Sequence, residues 1–320
     1  MSSKKSVIRV GTRGSALAMA QTTAIANRLG TAAGAPIEII PITTHGDTSR
    51  DSLASLGGTG VFASALREAL LADECDVIVH SLKDLPTAHQ PGLRIGATPK
   101  RADARDVVCA RDGLTLDSLP DGARVGTGSP RRAAQLRARR PELQVVDIRG
   151  NVDTRLAFVT DGELDAVILA AAGLGRLGRL DAVATEYLEL SEWPTAPGQG
   201  ALALEVRDGS LERQLAGALN AINHVTTQVT TLAERLVLAR LEAGCAAPIG
   251  ATAVIDDLVF LTATVYSPDG TAQIPSSHAA TPESHSPNHL IEAAEDIAER
   301  VAAELLAGGA AELAPLGATS

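Results

Sequence analysis

Residues 76–86, Asp-Val-Ile-Val-His-Ser-Leu-Lys-Asp-Leu-Pro, join a buried-strand pattern directly to four polar side chains, His80, Ser81, Lys83 and Asp84. Polar groups gathered at one strand end make a site, because ligands of open α/β sheets bind at the carboxyl ends of the strands. Asp84 is placed to exchange a proton with a nitrogen or to balance a cationic intermediate. Its basicity is set by the opposed effects of neighbouring cations and burial. His80 reads equally as a satisfied structural histidine, and Asp84 has a blander reading as a turn acid. The chain has four lysines, Lys4, Lys5, Lys83 and Lys100, against 24 arginines. A genome rich in Arg codons explains the overall bias but not the isolated lysine at 83, where a compact ammonium is expected.

Arginines recur at the expected strand ends and helix starts: Arg13, Arg131, Arg132, Arg149, Arg155 and Arg176. Guanidinium forks take carboxylates two bonds at a time. Six of them in a chain of net charge −10 imply a ligand with several carboxylates or phosphates. Taken singly, each also reads as a helix cap or a surface pair.

Cys245 stands in Glu-Ala-Gly-Cys-Ala-Ala-Pro-Ile-Gly, among small neighbours that leave a thiol reachable. No histidine adjoins it as a base, so a Cys–His hydrolase pair is not visible; an unreactive small residue and an attachment point both remain open. Cys75 and Cys109 lie in or beside apolar strands and read as core. Three widely spaced cysteines without a CxxC pattern argue against a disulfide framework and a metal site.

The elements that position these residues alternate. Strands are expected at Val7–Val10, Ile37–Ile42, Asp76–Val79, Asp106–Cys109, Arg124–Val125, Gln144–Ile148, Ala166–Leu169 and Ala201–Val206, with helices at Ser15–Leu29 and Val61–Leu71. That alternation indicates βαβ units. One pattern occurs twice. Val10 runs into Gly-Thr-Arg-Gly-Ser15, and Val125 into Gly-Thr-Gly-Ser129 followed by Pro-Arg-Arg. Each reads as strand, Gly-Thr turn, serine N-cap and helix, a start whose free amides attract anions. Two α/β lobes with one such turn each would share a cleft. Gly57, Gly58 and Gly60 read as a lid loop or a plain connector. The remainder differs: a helix at Thr226–Leu241, strands over Ala251–Thr264 around Asp256-Asp257, a loop over 276–289 and a helix at Leu290–Leu306. The expected units are 1–100 with 198–220, 101–197, and an α+β unit over 221–320; about 150 residues per domain allows two or three in a chain of 320.

Aromatic residues make up 2% of the chain, too few for base-stacking platforms, and the net charge disfavours a polyanion as partner. Neither a signal peptide nor an apolar stretch of spanning length is visible, and a reducing cytoplasm is expected.

His80-Ser-Leu-Lys-Asp-Leu-Pro86, Gly126-Thr-Gly-Ser-Pro-Arg-Arg132, Arg149-Gly-Asn-Val-Asp-Thr-Arg155, Ala196-Pro-Gly-Gln-Gly-Ala201 and Gly244-Cys-Ala-Ala-Pro-Ile-Gly250 together resemble the porphobilinogen deaminase family, in order along most of the chain. The resemblance implies two lobes like those of type II periplasmic binding proteins, a smaller α+β C-terminal domain, and a return of the chain to the first lobe near Pro197–Val206. It implies a monomeric transferase, hydroxymethylbilane synthase. Four porphobilinogen molecules are condensed head to tail with loss of ammonia on a dipyrromethane thioether-linked to Cys245, and water then releases the linear tetrapyrrole.

Matched by position, Asp84 is the acid that handles pyrrole-nitrogen protons. Ser81, Lys83, Thr127, Gly128, Ser129, Arg131, Arg132 and Arg155 surround the cofactor, and Arg13, Ser15, Arg149, Arg155 and Arg176 hold substrate carboxylates. Where many relatives carry a lysine in the glycine-rich loop, this chain has Thr59, and Ser55 is also uncharged; the charge role passes to arginines elsewhere. Two other readings compete, a two-lobed anion-binding protein and a cysteine-dependent hydrolase.

Overall fold

The computed structural model describes residues 7–43, 63–244 and 247–316. The Gly57–Gly60 loop, Ser55, Thr59 and Cys245 lie outside them.

The first sheet is built from β1 (Ile8–Arg13), β2 (Ile37–Ile42), β3 (Val77–Ser81), β4 (Leu93–Ala97) and β10 (Leu202–Arg207), in the order β2-β1-β3-β10-β4. Its helices are α1 (Ala16–Ala33) and α2 (Ser64–Leu71). The second contains β5 (Asp106–Ala110), β6 (Arg124–Gly126), β7 (Gln144–Val146), β8 (Ala166–Ala170) and β9 (Glu186–Leu188), in the order β7-β6-β8-β5-β9. It is accompanied by α3 (Pro130–Arg139), α4 (Val152–Thr160), α5 (Ala171–Arg176) and α6 (Leu180–Val183).

The two orders are the same plan. In each, a parallel trio (β2-β1-β3, β7-β6-β8) is followed by one antiparallel strand, β10 or β5, and an antiparallel edge, β4 or β9. The strand after each repeated Gly-Thr turn motif's own strand explains the sequence: β3 and β8 are flanked on both sides, so Val77–His80 and Ala166–Leu169 are buried throughout and read as unbroken apolar runs.

The chain crosses between lobes twice, entering the second through β5 and returning through β10. The crossing segments lie side by side, with the Ala102 N–H donating to Gly200 O at 3.2 Å. Gly200 has φ +84°, and a Cβ there would stand 2.7 Å from Ala102 O, so only glycine lets the backbones approach this closely.

After α7 (Arg213–Ile222), the C-terminal unit comprises α8 (Val225–Arg240), the meander β11 (Ile249–Ile255), β12 (Val259–Tyr266) and β13 (Gln273–Ala280), then α9 (Pro287–Ala307) and α10 (Ala310–Leu313). Val229, Ala233 and Val237 of α8 and Ala294, Ile297 and Val301 of α9 bury one face of this sheet.

Part of the expected 276–289 loop is strand. Residues 276–280 complete β13, where Ser, His and Pro275 are accommodated because the strand is an edge that pairs only with β12, and Ser276 and Ala280 alone are buried. The short edge strands β4 and β9 and helices α4 to α7 had no clear sequence pattern.

Candidate active site

Each repeated turn delivers its serine as an N-cap. Ser15 Oγ accepts from the Ala18 N–H at 3.3 Å at the start of α1, and Ser129 Oγ from the Arg132 N–H at 3.5 Å at the start of α3. Thr127 Oγ1 accepts the Ser129 N–H at 3.2 Å, which tightens the second turn. A Cβ on Gly128 would stand 2.5 Å from Ile148 O, so the turn lies directly against the segment that leads to Arg149.

β3 ends in a single 3-10 turn, Leu82–Asp84. Arg13, Ser81 and the exposed Asp84 line one pocket together with Gln21, and Ser81 Oγ donates to Gln21 Oε1 at 3.2 Å. His80, immediately before, is buried: Nε2 lies 3.1 Å from Glu205 Oε2, and Arg67 forks onto the same carboxylate. The histidine therefore has the structural role among the two left open by sequence.

The lobes meet on one amide. Gln199, on the second crossing segment, accepts through Oε1 from Lys83 Nζ at 3.3 Å and from Arg132 Nη2 at 3.5 Å. Its Nε2 donates to Ala104 O at 2.8 Å and Asp106 Oδ1 at 2.7 Å. Asp106 is wholly buried and also accepts from Arg131 Nη2 at 2.8 Å, Arg132 Nη2 at 2.7 Å and Trp193 Nε1 at 3.0 Å. Burial alone would raise its carboxyl, yet Arg132 and Arg131 hold it far below the usual carboxylate range. Arg131 Nη1 donates to Gln135 Oε1 and Pro194 O, so only its Nε is left over. Arg132 also donates to Ile168 O at 3.0 Å.

The other arginines are half-buried around this centre. Arg155 Nε donates to Gly150 O at 2.9 Å, and Arg176 Nη2 to Gly200 O at 2.6 Å. Arg149 Nε lies 3.9 Å from Asp147 Oδ2 and has no hydrogen-bond partner; the buried Nε atoms of Arg131 and Arg132 have none either.

The cations crowd one another. Burial, then Arg132, push the Lys83 ammonium down to about 8. Burial, then Arg132 and Arg149, lower Arg155, and burial lowers Arg176 to about 10. Asp84 counters from the first lobe, since its carboxyl group stabilises the charge of both Lys83 and Arg155. Such a gathering is electrostatically incomplete and suited to a multiply charged anion.

The structure thus brings Arg13, Ser81, Lys83, Asp84, Arg132, Arg155 and Arg176 to the two lobes' facing ends. Cys75 and Cys109 are buried, and burial pushes their thiols up to about 11 and about 12. Asp106 and Gln199 carry the centre, yet neither received a role from sequence. An acid heading the apolar run of β5, and a glutamine inside the quoted Pro-Gly-Gln-Gly motif, were the available signals.

Among known proteins, residues 8–214 match the family model described as porphobilinogen deaminase, dipyromethane cofactor binding domain. Residues 228–307 match the porphobilinogen deaminase C-terminal domain. A porphobilinogen deaminase of Leifsonia xyli subsp. xyli is 67% identical over 98% of this chain and 96% of its own length. Porphobilinogen deaminase 1 of Streptomyces coelicolor is 49% identical over 96% and 97%. A periplasmic substrate-binding protein of an ABC transporter from Coxiella burnetii aligns with a TM-score of 0.44 at 14% identity, covering 67% of this chain and 91% of that one. The methionine binding protein MetQ aligns with a TM-score of 0.44 at 11% identity over 68% and 89%.

Proposed function

The chain belongs to the porphobilinogen deaminase family, and from that premise we propose how its cleft performs the reaction. The activity is that of a hydroxymethylbilane synthase, a transferase of tetrapyrrole biosynthesis.

A dipyrromethane brings four carboxylates. The residues present suit it: the Nε atoms of Arg132 and Arg149 are buried without partners, and burial together with the neighbouring arginines lowers Lys83 and Arg155. Lys83, Arg131, Arg132 and Arg155 would hold its acetate and propionate groups, with Ser81, Thr127, Gly128 and Ser129 supplying hydroxyl and amide donors and Cys245 the thioether. When bound, it supplies the terminal pyrrole carbon to which each new unit is joined.

Arg13, Arg149, Arg155 and Arg176, with the Ser15 end of α1, orient the carboxylates of the incoming porphobilinogen. Ammonia leaves as its aminomethyl C–N bond breaks, and the positive charge that grows on the substrate pyrrole falls beside Asp84. Asp84 gives the aminomethyl nitrogen the proton with which it leaves as ammonia; its carboxylate then holds the pyrrole N–H and takes back the proton released when the new carbon–carbon bond forms, so each addition returns the site to its starting protonation. The observation that carries this reading is the placement of Asp84: it shares a turn with Lys83 in one lobe and acts on the charge of Arg155 in the other.

Two variants test it. The intact protein should carry the added mass of a dipyrromethane, and Cys245→Ser should lack it. Asp84→Asn should keep that mass while turnover falls by about 10²–10⁴-fold. A bare-chain mass with no activity on porphobilinogen would sink the reading, and near-normal turnover in Asp84→Asn would remove Asp84 from its role. The domain division at 1–100 with 198–220, 101–197 and 221–320, and a monomeric cytoplasmic enzyme, belong to the same proposal. Among the described residues no helix is long and apolar enough to cross a membrane. A single monomer-sized species in sedimentation is the expected result.

A further inference from the structure

The turn that bears Lys83 and Asp84 is one 3-10 turn long, with the Leu85 N–H donating to Leu82 O at 3.2 Å at its end. Such a short turn has little stability of its own. Within the lobe it is held by the Leu82 N–H on Ala201 O at 3.0 Å and by burial of Leu82 and Leu85, and a further hold comes from outside the lobe. Arg235, on α8 of the C-terminal unit, donates through Nη1 to Leu82 O at 3.1 Å and Leu85 O at 2.7 Å, and through Nη2 to Pro86 O at 2.8 Å. These three carbonyls bracket Lys83 and Asp84, one before and two after.

The clamp is itself anchored. The preceding residue, Glu234, is wholly buried and accepts from Arg101 Nη1 at 2.7 Å, Arg101 Nη2 at 3.0 Å, the Gly198 N–H at 2.7 Å and the Ala253 N–H at 3.0 Å. Arg101 Nε in turn donates to Gln199 O at 2.7 Å. Two successive residues of α8 therefore tie it to both crossing segments and to the Lys83–Asp84 turn.

We propose that Arg235 is a positioning residue for the reaction, a planar three-carbonyl clamp by which the C-terminal unit sets where Lys83 and Asp84 stand in the cleft. The inference rests on the deaminase reading above. Arginine suits the task because its fork presents several donors in one fixed plane, whereas a lysine ammonium satisfies the same carbonyls without fixing their angle. The substrate-binding arginines belong to other elements, so loss of the clamp acts on turnover rather than on affinity.

The test uses purified, cofactor-loaded protein carrying Arg235→Gln or Arg235→Lys. Dipyrromethane mass, melting temperature, kcat and KM for porphobilinogen are measured on each. A misplacement of about 1 Å costs up to about 10²-fold in rate. Arg235→Gln is expected to lower kcat by about 10- to 100-fold with KM within about threefold, and Arg235→Lys to recover part of that loss. Should Arg235→Gln fail to fold, Arg235→Lys carries the test through a lowered kcat at a near-native melting temperature. Unchanged kcat per loaded molecule, or a fall that follows only the unfolded or unloaded fraction, would overturn the positioning role while the wild type remains an active deaminase. A wild type without cofactor mass or turnover would instead bring down the deaminase reading, and this inference with it.

Discussion

The two Gly-Thr turns start from nearly the same residues and place their arginines in opposite settings. In the first lobe Arg13 comes before the capping Ser15, ends β1 and lines the pocket with Asp84. In the second, Arg131 and Arg132 come after the capping Ser129, so they fall on the first turn of α3 and point inward to the buried Asp106. The position of an arginine relative to the N-cap decides whether its guanidinium turns to a buried carboxylate or lines the cleft. Arg132 does both, since it touches Asp106 and Gln199 yet keeps a buried Nε without a partner.

The largest way to break this contrast is Asp106→Asn. Removing one partner of a buried charge cluster costs about 3–5 kcal/mol, so urea unfolding should show a loss of that size or a failure to fold. The wild-type carboxyl is held below its unfolded value. Its stabilisation is therefore complete above the unfolded pKa of about 3.9 and fades as pH falls below it; acid unfolding should come earlier for wild type relative to its own neutral stability than for the variant. A variant as stable as wild type would show that Arg131 and Arg132 need no internal counterion.

Arg13→Met is the counterpart in the first lobe. It should leave stability within about 1 kcal/mol but weaken binding of porphobilinogen by about 10- to 100-fold, the loss of one charge-assisted hydrogen-bond pair. Equal KM values would show that Arg13 does not meet substrate.

The equivalent glycines provide a smaller test. A Cβ on Gly14 meets nothing within 4 Å, whereas one on Gly128 meets Ile148 backbone oxygen at 2.5 Å. Gly128→Ala should lose about 1–3 kcal/mol, and Gly14→Ala should stay within about 0.5 kcal/mol. Equal melting temperatures for the pair would mean that the second turn is not packed against 148.

The smallest effect concerns Lys83. Its folded-state pKa is depressed from 10.5 to about 8, so the unfolded chain binds more protons between those values and stability gains as pH rises through that window. In cofactor-free Cys245→Ser protein, adding Lys83→Gln should raise the melting temperature at pH 7, with the difference shrinking towards pH 10.5. A difference that widens with pH would show that Lys83 is not crowded by cations.

Much of this was legible because it is local. The strands β1, β3, β6 and β8, both serine caps and the strand-end cluster at 80–84 follow from residues within about five positions of one another. The quoted motifs carried the family resemblance for the same reason. Local pattern failed for β13, whose polar edge sequence resembles a loop, and for β4 and β9, which are strands because β10 and β5 lie beside them.

Composition and spacing determined that this chain gathers arginines at strand ends, caps two helices with serine and ends a buried strand in Lys83 and Asp84. Tertiary structure alone decided which of those arginines are spent. Asp106 lies 25 residues from Arg131, and Arg235 lies 150 from Leu85. A guanidinium's charge is fixed by its chemistry, but its availability depends on which carboxylate or carbonyl the fold buries against it, and such pairings are made only when distant segments pack.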